Sequence, residues 1–184
     1  MYAMSNAKYF FFILLLSACQ SKIHNLNVND NDLKLVNEIM LYKEEPFSGI
    51  LFSKTDTLTI YKATYENGKK HGKEQKFFYN GSLAESGFYT GGNKSGTHLA
   101  WWNKNQLKSE YHYDDTGNFI GVQQEWFGNG QLSKEFHYNE YGEEDGTQKL
   151  WNFAGKIRAN YTVIAGKRYG LTPSEGCKSI TEIQ

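Results

Sequence analysis

The 184 residues carry twenty Lys and Arg against twenty Asp and Glu, so no net field draws in nucleic acid or an anionic surface. With 39% hydrophobic residues, 16% aromatics and two prolines, the chain has the apolar area of an ordered domain, which excludes intrinsic disorder. The aromatic excess is mostly Tyr and Phe, which favour a half-buried pleated sheet over a helix.

The chain opens with a segment for export. Lys8 is the only basic residue before an apolar run over residues 9–16, which has the length of a signal-peptide core and falls short of a membrane span. The run closes on Leu16-Ser17-Ala18-Cys19, which resembles the bacterial lipobox, where a cysteine after small residues is acylated and begins the mature protein. Residues 1–18 therefore read as a lipoprotein signal peptide and Cys19 as the lipidation site. A buried N-terminal strand would account for neither Ser17-Ala18 nor the polar residues that follow. Lipid on Cys19 would hold the chain on a membrane, each buried methylene adding about 0.8 kcal/mol. The mature part is then expected in the periplasm, and Gln20 in place of an aspartate points towards the outer membrane. Cys177 is left without an intramolecular partner, and no His or acid stands beside it as for a nucleophile. A Cys19–Cys177 bridge applies only if the lipobox reading fails.

Residues 19–30 are polar and read as a tether. In residues 31–42, Leu33, Leu35, Ile39 and Leu41 alternate and predict a strand, although Val36, Ile39 and Met40 also fit a short helix. Beyond them the chain repeats. Glycines at 49, 72, 96, 121, 146 and 170 stand 23, 24, 25, 25 and 24 residues apart, which gives units near 49–71, 72–95, 96–120, 121–145 and 146–169. Five residues after four of these glycines come Phe77, Trp101, Trp126 and Trp151. Nine after come Gly81, Asn105, Gly130 and Gly155, and eleven after come Leu83, Leu107, Leu132 and Ile157.

The second strand of each unit alternates: Leu107, Tyr111 and Tyr113, then Leu132, Phe136 and Tyr138, then Ile157, Tyr161 and Val163 share one face. Its other face carries Lys108, Glu110 and His112, then Ser133, Glu135 and His137, then Arg158, Asn160 and Thr162. Asn67-Gly68, Asn80-Gly81 and Asn129-Gly130 predict two-residue turns, because both residues tolerate positive φ. The expected fold is all-β, with tandem hairpins pairing edge to edge into an elongated, twisted antiparallel sheet over residues 31–170. Residues 171–184, with Pro173 and no period, read as a C-terminal tail.

The runs Tyr65-Glu66-Asn67-Gly68-Lys69-Lys70-His71-Gly72 and Gly121-Val122-Gln123-Gln124-Glu125-Trp126-Phe127-Gly128-Asn129-Gly130-Gln131-Leu132 resemble the bacterial variant of the MORN repeat. The resemblance covers roughly residues 46–170, and Glu45-Pro46-Phe47-Ser48-Gly49 is similar to the start of such arrays. It departs at Lys54, where an aromatic is expected, and at Asn105, where a turn glycine is. Proteins of this type are often labelled YwqK-family antitoxins, and others are exported lipoproteins. The resemblance thus implies a protein partner, a toxin among the candidates, and export favours immunity against a toxin that arrives in the periplasm.

No constellation for catalysis, cofactor or metal is read. His112 and His137 share a repeat position, but equivalent positions lie two strands apart, roughly 9–10 Å, whereas the ligands of one zinc lie about 2 Å from the ion. His71 and His98 lack an acidic or cysteine partner at ligand spacing. Asn27, Asn29, Asn31 and Glu38 have calcium-loop spacing without its first aspartate or its glycine, which is Asp32 here. Residues 68–73 lack the spacing of a phosphate loop, and Glu143, Glu144 and Asp145 form a solvated turn. No Gly-x-Ser-x-Gly motif is present. The expected role is therefore non-enzymatic: a membrane-anchored protein-interaction module. Its candidate surface holds Phe78, Trp102 and Phe127, facing opposite Phe77, Trp101 and Trp126, together with His112 and His137. Packing of that ladder within the sheet is the competing explanation, and a structural envelope lipoprotein or a glycan-binding protein is the competing function.

Overall fold

The computed structural model describes residues 24–172; the signal segment, Cys19 and the tail from residue 173, with Cys177, lie outside the described residues. The chain forms β1 (His24–Asn27), β2 (Leu33–Val36), β3 (Ile39–Tyr42), β4 (Glu45–Pro46), β5 (Gly49–Thr55), β6 (Leu58–Glu66), β7 (Lys69–Phe77) and β8 (Leu83–Thr90). It continues with β9 (Asn93–Asn103), β10 (Gln106–Tyr113), β11 (Gly121–Trp126), β12 (Leu132–Tyr138), β13 (Gly146–Trp151), β14 (Ile157–Ile164) and β15 (Lys167–Leu171). Strands β5 to β15 pair in sequence order as consecutive antiparallel hairpins in one open sheet, which β1 joins in parallel beside β5. β2, β3 and β4 form a separate three-stranded cap. The architecture is the tandem hairpin array that the repeat predicts.

The register explains the repeat. Phe77 pairs with Leu83, Trp101 with Leu107, Trp126 with Leu132 and Trp151 with Ile157, so the aromatic and the aliphatic six residues later are cross-strand partners in four hairpins. Beside each aromatic the ladder slips by one residue. The slip corrects one expectation. Asn67-Gly68 does close a two-residue turn, with φ of 48° and 78°. Asn80 and Asn129 are not at positive φ; only Gly81 and Gly130 are, at 80° and 84°. Those connections are wider: Gly81 donates to the carbonyl of Phe78, and Gly130 to that of Phe127. They are turns followed by a left-handed glycine, and that extra residue produces the bulge.

The N-terminal segment also differs from expectation. His24–Asn27 forms a strand where a tether was expected to reach residue 30, its residues pairing with Gly49–Phe52. Residues 33–42 form a hairpin rather than one strand, with Asn37 and Glu38 at φ of 48° and 65°. A two-residue turn exchanges parity: Leu35 pairs with Met40 and Val36 with Ile39, so Leu35 and Ile39 lie on opposite faces. At the other end, β15 runs one residue into the expected tail, to Leu171.

The cap is tied on through Gly68, which donates to the Phe47 carbonyl and accepts from the Met40 amide, each at 2.8 Å. Any side chain at Gly68 would collide with that of Ile39. Phe47 is 3% exposed, its ring packed against Tyr42 and Tyr65 at 6.4 and 6.0 Å. Leu51 and Ala63 are buried beside this end of the sheet, and Ala159, Tyr161 and Val163 near the other.

Candidate functional site

Directly paired residues share a face of a sheet, so the register fixes what meets what. One face bears Tyr61, Tyr89, Tyr111 and Tyr161 and is here termed the tyrosine face. Across six strands, one row on it reads Lys76, Glu85, Ala100, Ser109, Glu125, Lys134. Two ion pairs thus flank two small residues, with Lys76–Glu85 at 2.7 Å and Lys134–Glu125 at 3.1 Å. Over Ala100 and Ser109 the face opens into a trough of about 410 Å³, walled by Tyr89, His98 and Tyr111. Gly87 keeps it open, since a side chain there would run into the His98 ring.

An aromatic spine bounds the trough on the side of the repeat glycines. His98 packs edge-on between Tyr89 and Tyr113 at 5.4 and 4.9 Å. Phe119, from the loop after β10, continues the contact from Tyr113 to Tyr138. Such edge and tilted pairs stabilise beyond the area they bury.

The polar groups here have specific partners. Glu74 accepts from Lys70, from the Tyr89 hydroxyl at 2.9 Å and from the Tyr61 hydroxyl at 3.3 Å. Burial pushes its carboxyl up, but Lys70 and Tyr89 more than offset that, so it stays below the usual carboxylate range. Burial, then the Glu74 charge, pushes the Tyr89 phenol well up, and burial with Glu125 does the same to Tyr111. His98 donates from Nε2 to the Phe88 carbonyl at 2.7 Å, and burial lowers its pKa from the ordinary 6.5. At neutral pH the site presents a neutral imidazole, protonated phenols and paired carboxylates. That equips it to hold a mixed polar and aromatic surface.

Two glutamines were not expected. Gln123 is 1% exposed and Gln148 fully buried. Each stands two residues after a repeat glycine, where other units have Glu74 and His98. Gln123 accepts from the His112 amide at 2.8 Å and donates to the His112 carbonyl at 3.0 Å. Gln148 does the same for His137, at 3.0 and 2.8 Å. The side-chain amide replaces a backbone bridge where the five-residue-longer loops part β10 from β11 and β12 from β13. A signal existed: both glutamines follow the 25-residue intervals, and the units with short turns lack them.

The expected surface residues divide between two places. Phe78 and Phe127 open the wide turns and do not lie within a strand, while Trp102 lies in β9. Trp102 is 45% exposed, yet its indole N–H donates to the Trp126 carbonyl at 2.8 Å, and Phe127 packs against Phe153 at 5.6 Å. Trp102 and Phe127 thus each tie one turn to the next. Neither Trp102 nor Trp126 lines the trough. His112 and His137 are half-buried on the opposite face, each beside the carboxylate two residues before it, Glu110 at 3.4 Å and Glu135 at 3.7 Å. His71 lies 3.5 Å from Glu66, and Glu144 meets Arg168 at 3.0 Å. In the β10–β11 loop, the Thr116 hydroxyl and then the Asn118 amide hold the Asp114 carboxyl at a pKa of about 2. The Cys19 site lies outside the described residues. No protein-family model matches the chain, and no curated protein matches it.

Proposed function

We propose that the chain is a non-enzymatic envelope lipoprotein, anchored through Cys19, whose repeat array binds a protein partner along the tyrosine face. The trough over Ala100 and Ser109 carries this reading: its small floor admits a partner side chain, and Glu85 and Glu125 on its flanks meet a cation or amide. Of the aromatic ladder Phe78, Trp102 and Phe127, the latter two join turns, which moves the expected contact surface towards the tyrosine face of the array. The resemblance to the MORN variant rests on the repeat residues. Within it, an antitoxin-like or immunity-like role makes the partner a toxin reaching the periplasm.

A purely structural lipoprotein is the second reading, favoured by the turn-to-turn ties and the buried glutamines, which stiffen the array. Crosslinking in intact cells separates the two. A stoichiometric envelope partner captured by the native chain, lost with Ala100→Tyr and kept with Trp102→Ala, is expected for the binding module. Capture unaffected by Ala100→Tyr would place the contact elsewhere, and absence of any partner would favour the structural role. Membrane retention lost with Cys19→Ala is expected for the anchor.

A further inference from the structure

We propose that the tip of the β2–β3 hairpin rests on the bilayer that holds the lipid on Cys19, so that the array stands out from the membrane from its capped end. The proposal rests on the lipid-anchor reading and adds a contact surface to it.

The reach of the chain limits what can touch the membrane. Cys19 is five residues from His24, a span of at most about 17 Å fully extended. His24 pairs with Gly49 at the start of β5, and its ring lies 6.1 Å from that of Tyr42 in β3. From Tyr42, β3 runs back three residues to Ile39 at the hairpin tip, about 10 Å away. The hairpin tip and the acylated cysteine therefore each lie within a tether length, about 17 Å, of His24.

The tip carries the apolar side chains for such a contact. Leu35 is 68% exposed and Val36 45%, adjacent residues on opposite faces of a two-stranded hairpin that ends in the Asn37-Glu38 turn. Next to them a groove of about 470 Å³ runs between the hairpin and the β6–β7 and β8–β9 turns, lined by Leu35, Met40, Tyr65 and Lys69. An apolar wedge beside a groove that holds Lys69 and Lys70 together with Glu38 suits the headgroup boundary, where such groups enter to about 5–10 Å. Of the exposed aromatics, Phe88 lies within β8, Tyr141 and Tyr169 lie seven or more strands along the sheet from β5, and Tyr79, Trp102 and Phe153 belong to the opposite ends of the strands. From Gly49 that end is a full strand away, about 20 Å along the seven residues of β5, beyond what the tether spans.

The test uses the full acylated chain in a Cys177→Ser background, placed in phosphatidylethanolamine–phosphatidylglycerol vesicles whose acyl chains carry bromine. Acylated Cys19 is a thioether and takes no thiol label, so Val36→Cys, or Tyr169→Cys in distal β15, supplies the single site for a fluorophore. Emission from position 36 is expected to fall about twofold in brominated vesicles, that from position 169 to stay unchanged, and Leu35→Asp to abolish the quenching. Quenching equal at both positions, or absent at 36 in a chain that floats with the vesicles, overturns the proposal and leaves the anchor standing. Quenching that survives Leu35→Asp overturns it too, since the label would then be what inserts. A chain that takes label at Cys19 and stays out of the vesicles removes the anchor and this proposal together.

Discussion

Gln148 shows how one side chain can stand in for a stretch of ladder. It satisfies both the amide and the carbonyl of His137, two groups that would otherwise be stranded inside the sheet. Gln148→Leu keeps the volume and removes both partners, so a loss of about 2–4 kcal/mol is expected in urea unfolding. An unchanged midpoint would mean that water reaches His137 instead. His98 and Glu74 make the array acid-sensitive. Both have pKa values lowered in the fold, so each contributes stability that is complete above its ordinary pKa, 6.5 and 4.5, and is lost as pH falls towards the folded value. The melting temperature is expected to drop between about pH 7 and pH 5, and His98→Gln to flatten that part of the curve while leaving the Glu74 step at lower pH. If the His98→Gln profile keeps its slope, the histidine's environment is not what sets it.

At the scale of elements, turns decide register. Gly130 and Gly68 are both left-handed, at φ of 84° and 78°, yet their surroundings differ. A Cβ at Gly130 meets only the Gln106 amide at 3.8 Å, whereas one at Gly68 strikes the Ile39 side chain and the Met40 backbone. Gly130→Ala should cost about 1–2 kcal/mol, from backbone strain alone. Gly68→Ala should cost more and loosen the cap, visible as faster amide exchange in β3 and at Phe47 than in β12. Equal effects from the two substitutions would show that the cap is not held through Gly68. The Asn-Gly pairs also show why turn geometry was only partly legible. Asn67-Gly68 and Asn129-Gly130 are identical dipeptides, and the number of residues between the strands they join makes one a two-residue turn and the other a wider loop with a bulge.

At the scale of the whole molecule, pairing from β5 to β15 runs between neighbours in sequence, as repeat arrays require. Gly121 and Gly146 are equivalent and 25 residues apart, so excision of residues 121–145 joins Ile120 to the start of β13 without a change of register. The shortened chain is expected to fold, with its long axis reduced by two strands, about 10 Å by small-angle scattering, and with lower stability. Failure to fold would show that this hairpin is unique rather than interchangeable. The sequence alone determined the all-β class and the hairpin period, because those depend on local alternation and on residues a few positions apart. Only the tertiary structure decided the pairing of β1 beside β5, the hairpin cap, the buried glutamines and the trough over Ala100 and Ser109. Each of these depends on which distant strands lie side by side and in what register, and a one-residue shift there exchanges the two faces of a strand.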